Sequence, residues 1–128
     1  MTSASPVDKN KGQVFELKAC RYLQQQGLTL LQRNYHSRLG EIDLIMKDAN
    51  TLVFIEVRYR RSNRFGSGAE SVNYRKQTRL IATAAHYLQN QQGSATQAAR
   101  FDVISIGPQQ GLKPGADEIL WIKDAFQA

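Results

Sequence analysis

Apolar residues recur along this chain in two periods, and the change from one to the other marks its elements. Phe15, Ala19, Tyr22 and Leu23 recur at helical spacing, and predict a first helix over about residues 11–26. Asn10 is placed to cap that helix, and Gly27 to stop it. Residues 1–10 are polar and read as a flexible arm. Three strand-like runs follow: Leu28 to Tyr35, Arg38 to Lys47 and Thr51 to Tyr59. Asp48-Ala49-Asn50 supplies a polar hairpin turn between the last two. The helical period returns from Asn73 to Asn90, where Leu80, Ile81, Ala84, Ala85 and Leu88 are expected to face inward. Gln91 to Ala99 reads as a linker and Gly107 to Ala116 as a loop, with strands at Phe101 to Ile106 and Glu118 to Lys123. The order is α-β-β-β-α-β-β. It predicts an α/β fold, a mixed sheet flanked by helices, in a single domain over residues 11–128.

The hairpin carries carboxylates in apolar runs, Gly40-Glu41-Ile42-Asp43-Leu44-Ile45 and Phe54-Ile55-Glu56-Val57-Arg58. An unpaired buried carboxylate is expensive and usually has a cation, a donor or a proton to compensate it. Strand alternation puts Glu41, Asp43 and Ile45 on one face, and Phe54, Glu56 and Arg58 on one face of the next strand. With Ala49-Asn50 as a two-residue turn, Asp48 faces Thr51 and Asp43 falls opposite Glu56, with Cβ atoms about 5 Å apart. Two carboxylates that close repel unless something positive lies between them. Asp43, Glu56 and the backbone carbonyl of Val57 would offer three hard oxygens to Mg²⁺ or Mn²⁺. The competing reading is a charge-paired hairpin without metal, Glu41 and Glu56 neutralised by Arg38, Arg58 or Arg60.

Charge sharpens the functional side of this reading. The 128 residues suit one core, and the net charge is +6. From Arg58 to Arg79 seven cations (Arg58, Arg60, Arg61, Arg64, Arg75, Lys76 and Arg79) face one acid, Glu70, while the rest of the chain balances. A positive field beside carboxylates suits a polyanion such as nucleic acid, against the plainer reading of a solvated basic loop. Tyr59 and Phe65 interleave with these arginines and can either stack on bases or pack. Cys20 is the single cysteine and reads as a core thiol, which excludes an internal disulfide. No apolar run is long enough for a membrane helix and the N-terminus lacks a signal-peptide core, so a cytoplasmic location without membrane partners is expected. His36 and His86 show no ligand spacing, Gly66 and Gly68 read as hinges, Trp121 as core, and Asp102 as a partner of Arg100.

The two hairpin runs resemble the signature of the YraN-like family, small bacterial proteins of the PD-(D/E)xK nuclease superfamily. The likeness extends to Glu16 in the first helix, Lys76-Gln77 opening the second, Arg100-Phe101-Asp102-Val103, and Asp124-Ala125-Phe126. It implies a restriction-endonuclease-like fold similar to archaeal Holliday junction resolvases, and a metal-dependent endonuclease acting on DNA, with branched or structured DNA among its candidate substrates and a homodimer as its candidate assembly. By the same likeness Asp43 and Glu56 bind Mg²⁺ or Mn²⁺ and Glu16 reaches them from the first helix. Glu41 belongs to the motif and is a candidate for positioning Arg58 or a water. Two positions depart from the superfamily pattern: Ile42 replaces its proline and Arg58 its lysine. Arginine stays protonated and cannot serve as a base, though it can stabilise charge on phosphate. Lys76 is the candidate to stand in for that lysine, with Arg75 and Arg79 beside it at the positive end of the helix dipole, where an incoming phosphate would relieve them. Arg58 also leaves room for a non-catalytic nucleic-acid-binding module, and the basic segment for docking on an acidic protein.

Overall fold

The structure, a computed structural model, describes residues 6–60, 72–91, 97–108 and 117–128, with side chains from residue 12 onward. The first helix, α1, spans Pro6–Gln25. It begins earlier than expected and takes in half of the anticipated arm. Proline suits the first helical position because its missing N–H would be unpaired there and its φ is already helical. Asn10 therefore lies inside the helix. Gly27, at φ +102°, ends it as expected. The Leu28 N–H reaches the Leu23 carbonyl at 3.1 Å and the Gly27 N–H that of Gln24 at 3.0 Å, which satisfies the last turn.

Five strands follow in one sheet, β1 (Thr29–Ser37), β2 (Gly40–Asp48), β3 (Thr51–Tyr59), β4 (Ala99–Pro108) and β5 (Asp117–Phe126), with α2 (Tyr74–Gln89) between β3 and β4. Their spatial order is their chain order. β3 and β4 are parallel, since α2 carries the chain back across the sheet, and the other pairs are antiparallel. The anticipated α/β arrangement, two helices on a mixed sheet, is the one found. β4 and β5 each run longer than expected, and Gly107 and Pro108 are strand rather than loop. The expected loop at 62–68 and most of those at 91–99 and 107–116 lie outside the described residues.

Each face of the sheet holds one helix and one apolar cluster. Ala19, Cys20 and Leu23 of α1 pack on Leu44, Met46, Val53, Ile55, Ile104 and Ile106. Leu80, Ala84 and Tyr87 of α2 pack on Ile42, Ile45, Phe54, Phe101 and Val103. Cys20 is a buried thiol whose pKa is raised by that burial. In α2 the Asn73 side chain caps the Lys76 N–H at 2.9 Å. Its buried stripe is Leu80, Thr83, Ala84 and Tyr87, and Ala85, expected inward, is exposed. The Tyr87 ring sets that rotation by meeting Tyr35 and Phe54 edge-on at 5.2 and 5.9 Å.

A polar knot ties β4 to β5. Asp102, 1% exposed, accepts from Arg100 at 3.0 Å, from the Trp121 indole at 2.9 Å and from the Asp124 N–H at 2.8 Å. Arg100 in turn reaches Asp48 at 3.0 Å. The expected Arg100–Asp102 pair is present, and it also feeds the irregular stretch of β5 where Asp124 takes φ +51°. Trp121 is half-buried and edge-on to Tyr22.

Candidate functional site

The β2–β3 turn sets the expected register: Asp48 pairs with Thr51, and the ladder runs up to Leu44 opposite Ile55. It stops there, one step short of the anticipated opposition of Asp43 and Glu56. The Asp43 carboxylate instead accepts the Val57 N–H at 2.8 Å, taking the place of a strand carbonyl. Alternation breaks at the same point, for Ile42 lies in the α2-side cluster and Leu44 in the α1-side cluster. Across the β1–β2 ladder, Asn34 takes φ +53° between the paired positions Arg33 and Tyr35. β2 and β3 thus part at Asp43, and groups from both sides of the sheet can reach one opening.

Gly40 holds the mouth of that opening. Its φ is +150°, and a Cβ there would stand 2.9 Å from Thr83 Oγ1 on α2. Only glycine has both the conformation and the room.

Three carboxylates meet at the parting. Asp43 is pushed up to about 8, first by burial and then by the Glu56 charge, against the pull of the Val57 N–H. Glu16 reaches in from α1. One of its oxygens, Oε1, is enclosed without a hydrogen-bond partner. Burial raises the Glu16 pKa, opposed by Asn34 and Arg33. Glu56 is 7% exposed and compensated, with Lys76 Nζ 3.1 Å and Arg58 Nη1 3.6 Å from its Oε2. Ion-paired cations therefore lie on the Glu56 side, while Asp43 is held by the Val57 N–H and Glu16 feels the Arg33 charge without an ion pair among the described residues.

These groups line a cleft of about 550 Å³. Of the residues singled out from sequence, Glu16, Glu41, Asp43, Glu56, Val57, Lys76 and Arg79 border it. Arg58 touches it through Glu56. Arg60 is not brought there: its guanidinium binds Glu118 at 2.7 Å and Ser105 Oγ and O at 3.2 and 3.1 Å. A Cβ on Gly107 would collide with Arg60, so the two segments are closely fitted. Arg75 is exposed on the first turn of α2. Arg61, Arg64, Phe65, Gly66 and Gly68 lie outside the described residues.

The cleft also holds His36, which sequence reasoning set aside for want of ligand spacing, Phe15, which it read as helix core, and Tyr59, which it left between stacking on bases and packing. His36 pairs with Glu41 across the β1–β2 hairpin, Nδ1 to Oε1 at 3.5 Å, and both border the opening. Hairpin pairing was the available signal, but it needed the β1 register. Phe15 and Tyr59 stack at 4.6 Å on the same rim. Among the described residues, no three His, Cys, Asp or Glu side chains form a group able to hold a metal ion. The donors suited to a hard cation are the carboxylates of Asp43 and Glu56, with the unpartnered Glu16 oxygen behind them. No described helix is long and apolar enough to cross a membrane.

Comparison with known proteins gives a consistent set of relatives. The profile described as uncharacterised protein family UPF0102 matches residues 15–106, from beside Glu16 to the end of the β4 core. A UPF0102 protein of Nitrosococcus oceani is 55% identical over 119 residues, 93% of each chain. One from Nitrosomonas europaea is 49% identical over 117 residues, 91% of this chain and 93% of its own. One from Pseudomonas putida is 42% identical over 127 residues, 99% of each.

Proposed function

This chain belongs to the uncharacterised protein family UPF0102, and on that premise we propose that it is a metal-dependent endonuclease hydrolysing phosphodiester bonds of DNA. One observation carries the reading. Two carboxylates that burial and neighbouring acids disfavour as anions, Asp43 and Glu16, share a cleft with Glu56 and its cations. Among the described residues no cation is ion-paired with Asp43 or Glu16, and a divalent ion would supply positive charge between them and Glu56.

Asp43 and Glu56 would hold Mg²⁺ or Mn²⁺, with the Val57 carbonyl as a further oxygen and Glu16 behind Asp43. Mg²⁺ is commonly held by one or two carboxylates, with water and substrate phosphate filling the remaining positions. A bound ion supplies Lewis-acid polarisation of the scissile phosphate. Lys76 takes the role of the motif lysine from α2: its compact ammonium, already on Glu56, can orient a water and offset charge on the phosphate. Arg58 stays charged and contributes charge stabilisation alone. Glu41 with His36 orders the rim.

The test is cleavage of linear duplex, single-stranded and four-way-junction DNA with Mg²⁺ and with Mn²⁺. Cutting by the native chain that is lost in Asp43→Ala supports the reading. No cutting on any of the three sinks it. A second reading, a nucleic-acid-binding module without chemistry, has Arg58 at the motif's lysine position in its favour. It predicts DNA binding that survives Asp43→Ala.

A further inference from the structure

The cleft has two unlike walls. β1 and α2 build one from polar and basic groups, His36, Ser37, Lys76 and Arg79. α1 and β3 build the other from Phe15 and Tyr59, whose rings are stacked at 4.6 Å and 22°. Tyr59 is 41% exposed, a large share for an aromatic ring beside buried carboxylates. Phe15 stacks against one face of the ring and helps to fix its orientation. Gly12 lies on the same stretch of rim and leaves the approach to Phe15 without a side chain. Tyr59 is three residues beyond Glu56 on one strand, on the order of 10 Å along it.

We infer that Tyr59, backed by Phe15, is a base-stacking subsite, and that the cleft takes an unpaired nucleotide with its phosphate toward Lys76 and Arg79. The inference rests on the phosphodiester reading and narrows its substrate to single-stranded or locally unpaired DNA. A base within a duplex has both faces covered by its neighbours and offers none to a plate set inside a cleft. An unpaired base offers a face, and stacking on an aromatic side chain accepts any base. The polar wall then receives the backbone, as basic groups do in proteins that track single strands. Tyr59 is accordingly a specificity residue: it holds the base and leaves the reaction at phosphorus to the carboxylates and Lys76.

The experiment separates this inference from the one beneath it. Fluorescence anisotropy would measure binding of a short labelled single strand, the same strand with abasic sites, and a blunt duplex. Full-length Asp43→Asn protein is used, so that cutting cannot interfere. The intact strand is expected to bind roughly tenfold more tightly than the abasic one, and more tightly than the duplex. Adding Tyr59→Leu should erase the gap between intact and abasic strands, and Tyr59→Phe should restore it. A thermal melt of each variant checks that the fold survives loss of the Phe15 stack. Equal binding of intact and abasic strands overturns the inference, as does a Tyr59→Leu loss of the same size on both, or no binding at all. Base-dependent binding without cutting by the native chain would retain the subsite and remove the nuclease. Cutting without base dependence would do the reverse.

Discussion

Asp43 is the residue on which the site turns, and its ionisation has a measurable consequence. Its carboxyl is raised from 3.8 to about 8 by burial and by Glu56. Between those values the folded chain keeps a proton that the unfolded chain has released. Without metal, stability should therefore fall as pH rises from about 4 to about 8, by on the order of a few kcal/mol. Urea denaturation in chelator at pH 5 and pH 8 should show that slope, and Asp43→Asn should flatten it. An unchanged slope would mean that Asp43 is ionised in the folded chain at neutral pH. A divalent ion bound as proposed would replace the proton, so its affinity should rise with pH over the same range and disappear in the Asn variant, as calorimetry would show. The sequence made Asp43 and Glu56 legible as a costly pair because both sit in apolar runs. The parting of the strands was not legible. A period of two predicts continued alternation, and nothing in Ile42-Asp43-Leu44 announces that the Asp43 side chain, rather than a backbone carbonyl, takes the Val57 N–H.

Among the elements, α2 and β2 share an apolar cluster and, at Gly40, one tight contact. Gly40 meets Thr83, and the hydroxyl of Thr83 also donates to the Arg79 carbonyl at 2.7 Å. Gly40→Ala should cost about 2 kcal/mol, part from its backbone conformation and part from the crowded hydroxyl. Thr83→Ala relieves only the second part, so the double variant should recover some of the loss and not all. Full additivity in denaturant titrations would show that the contact is not shared. Asp102 governs the other end. Asp102→Ala removes one of the two carboxylates that Arg100 meets and the acceptors of Trp121 and Asp124, for a loss of about 3 kcal/mol. An effect below about 1 kcal/mol, typical of an exposed pair, would remove it from that role. Both helices and the β2–β3 turn were readable from local signals. Parallel pairing of β3 with β4, the rotation of the α2 stripe onto Tyr87 and the load on Asp102 were not, because each depends on partners far along the chain.

For the whole molecule, charge placement matters more than charge count. The segment from Arg58 to Arg79 carries the entire excess of the +6 chain, yet its described cations do different work. Arg60 is absorbed by Glu118 and Ser105. Lys76 and Arg58 sit on Glu56. Arg79 borders the cleft and Arg75 is exposed a turn earlier on α2. If the cleft takes DNA, only cations that meet phosphate release counterions, and each lowers the slope of log affinity against log salt by about 0.7 to 0.9 when removed. Arg79→Gln and Arg75→Gln should each flatten that slope by about this amount at unchanged thermal stability. Arg60→Gln should leave the slope alone and lower the melting temperature, because it unties β3 from β4 and β5. The reverse pattern, a flattened slope in Arg60→Gln and none in Arg79→Gln, would move the nucleic acid off this cleft. The sequence offered seven cations as one patch. A string of residues carries no record of which charge meets an internal acid, and Glu118 lies 58 positions from Arg60.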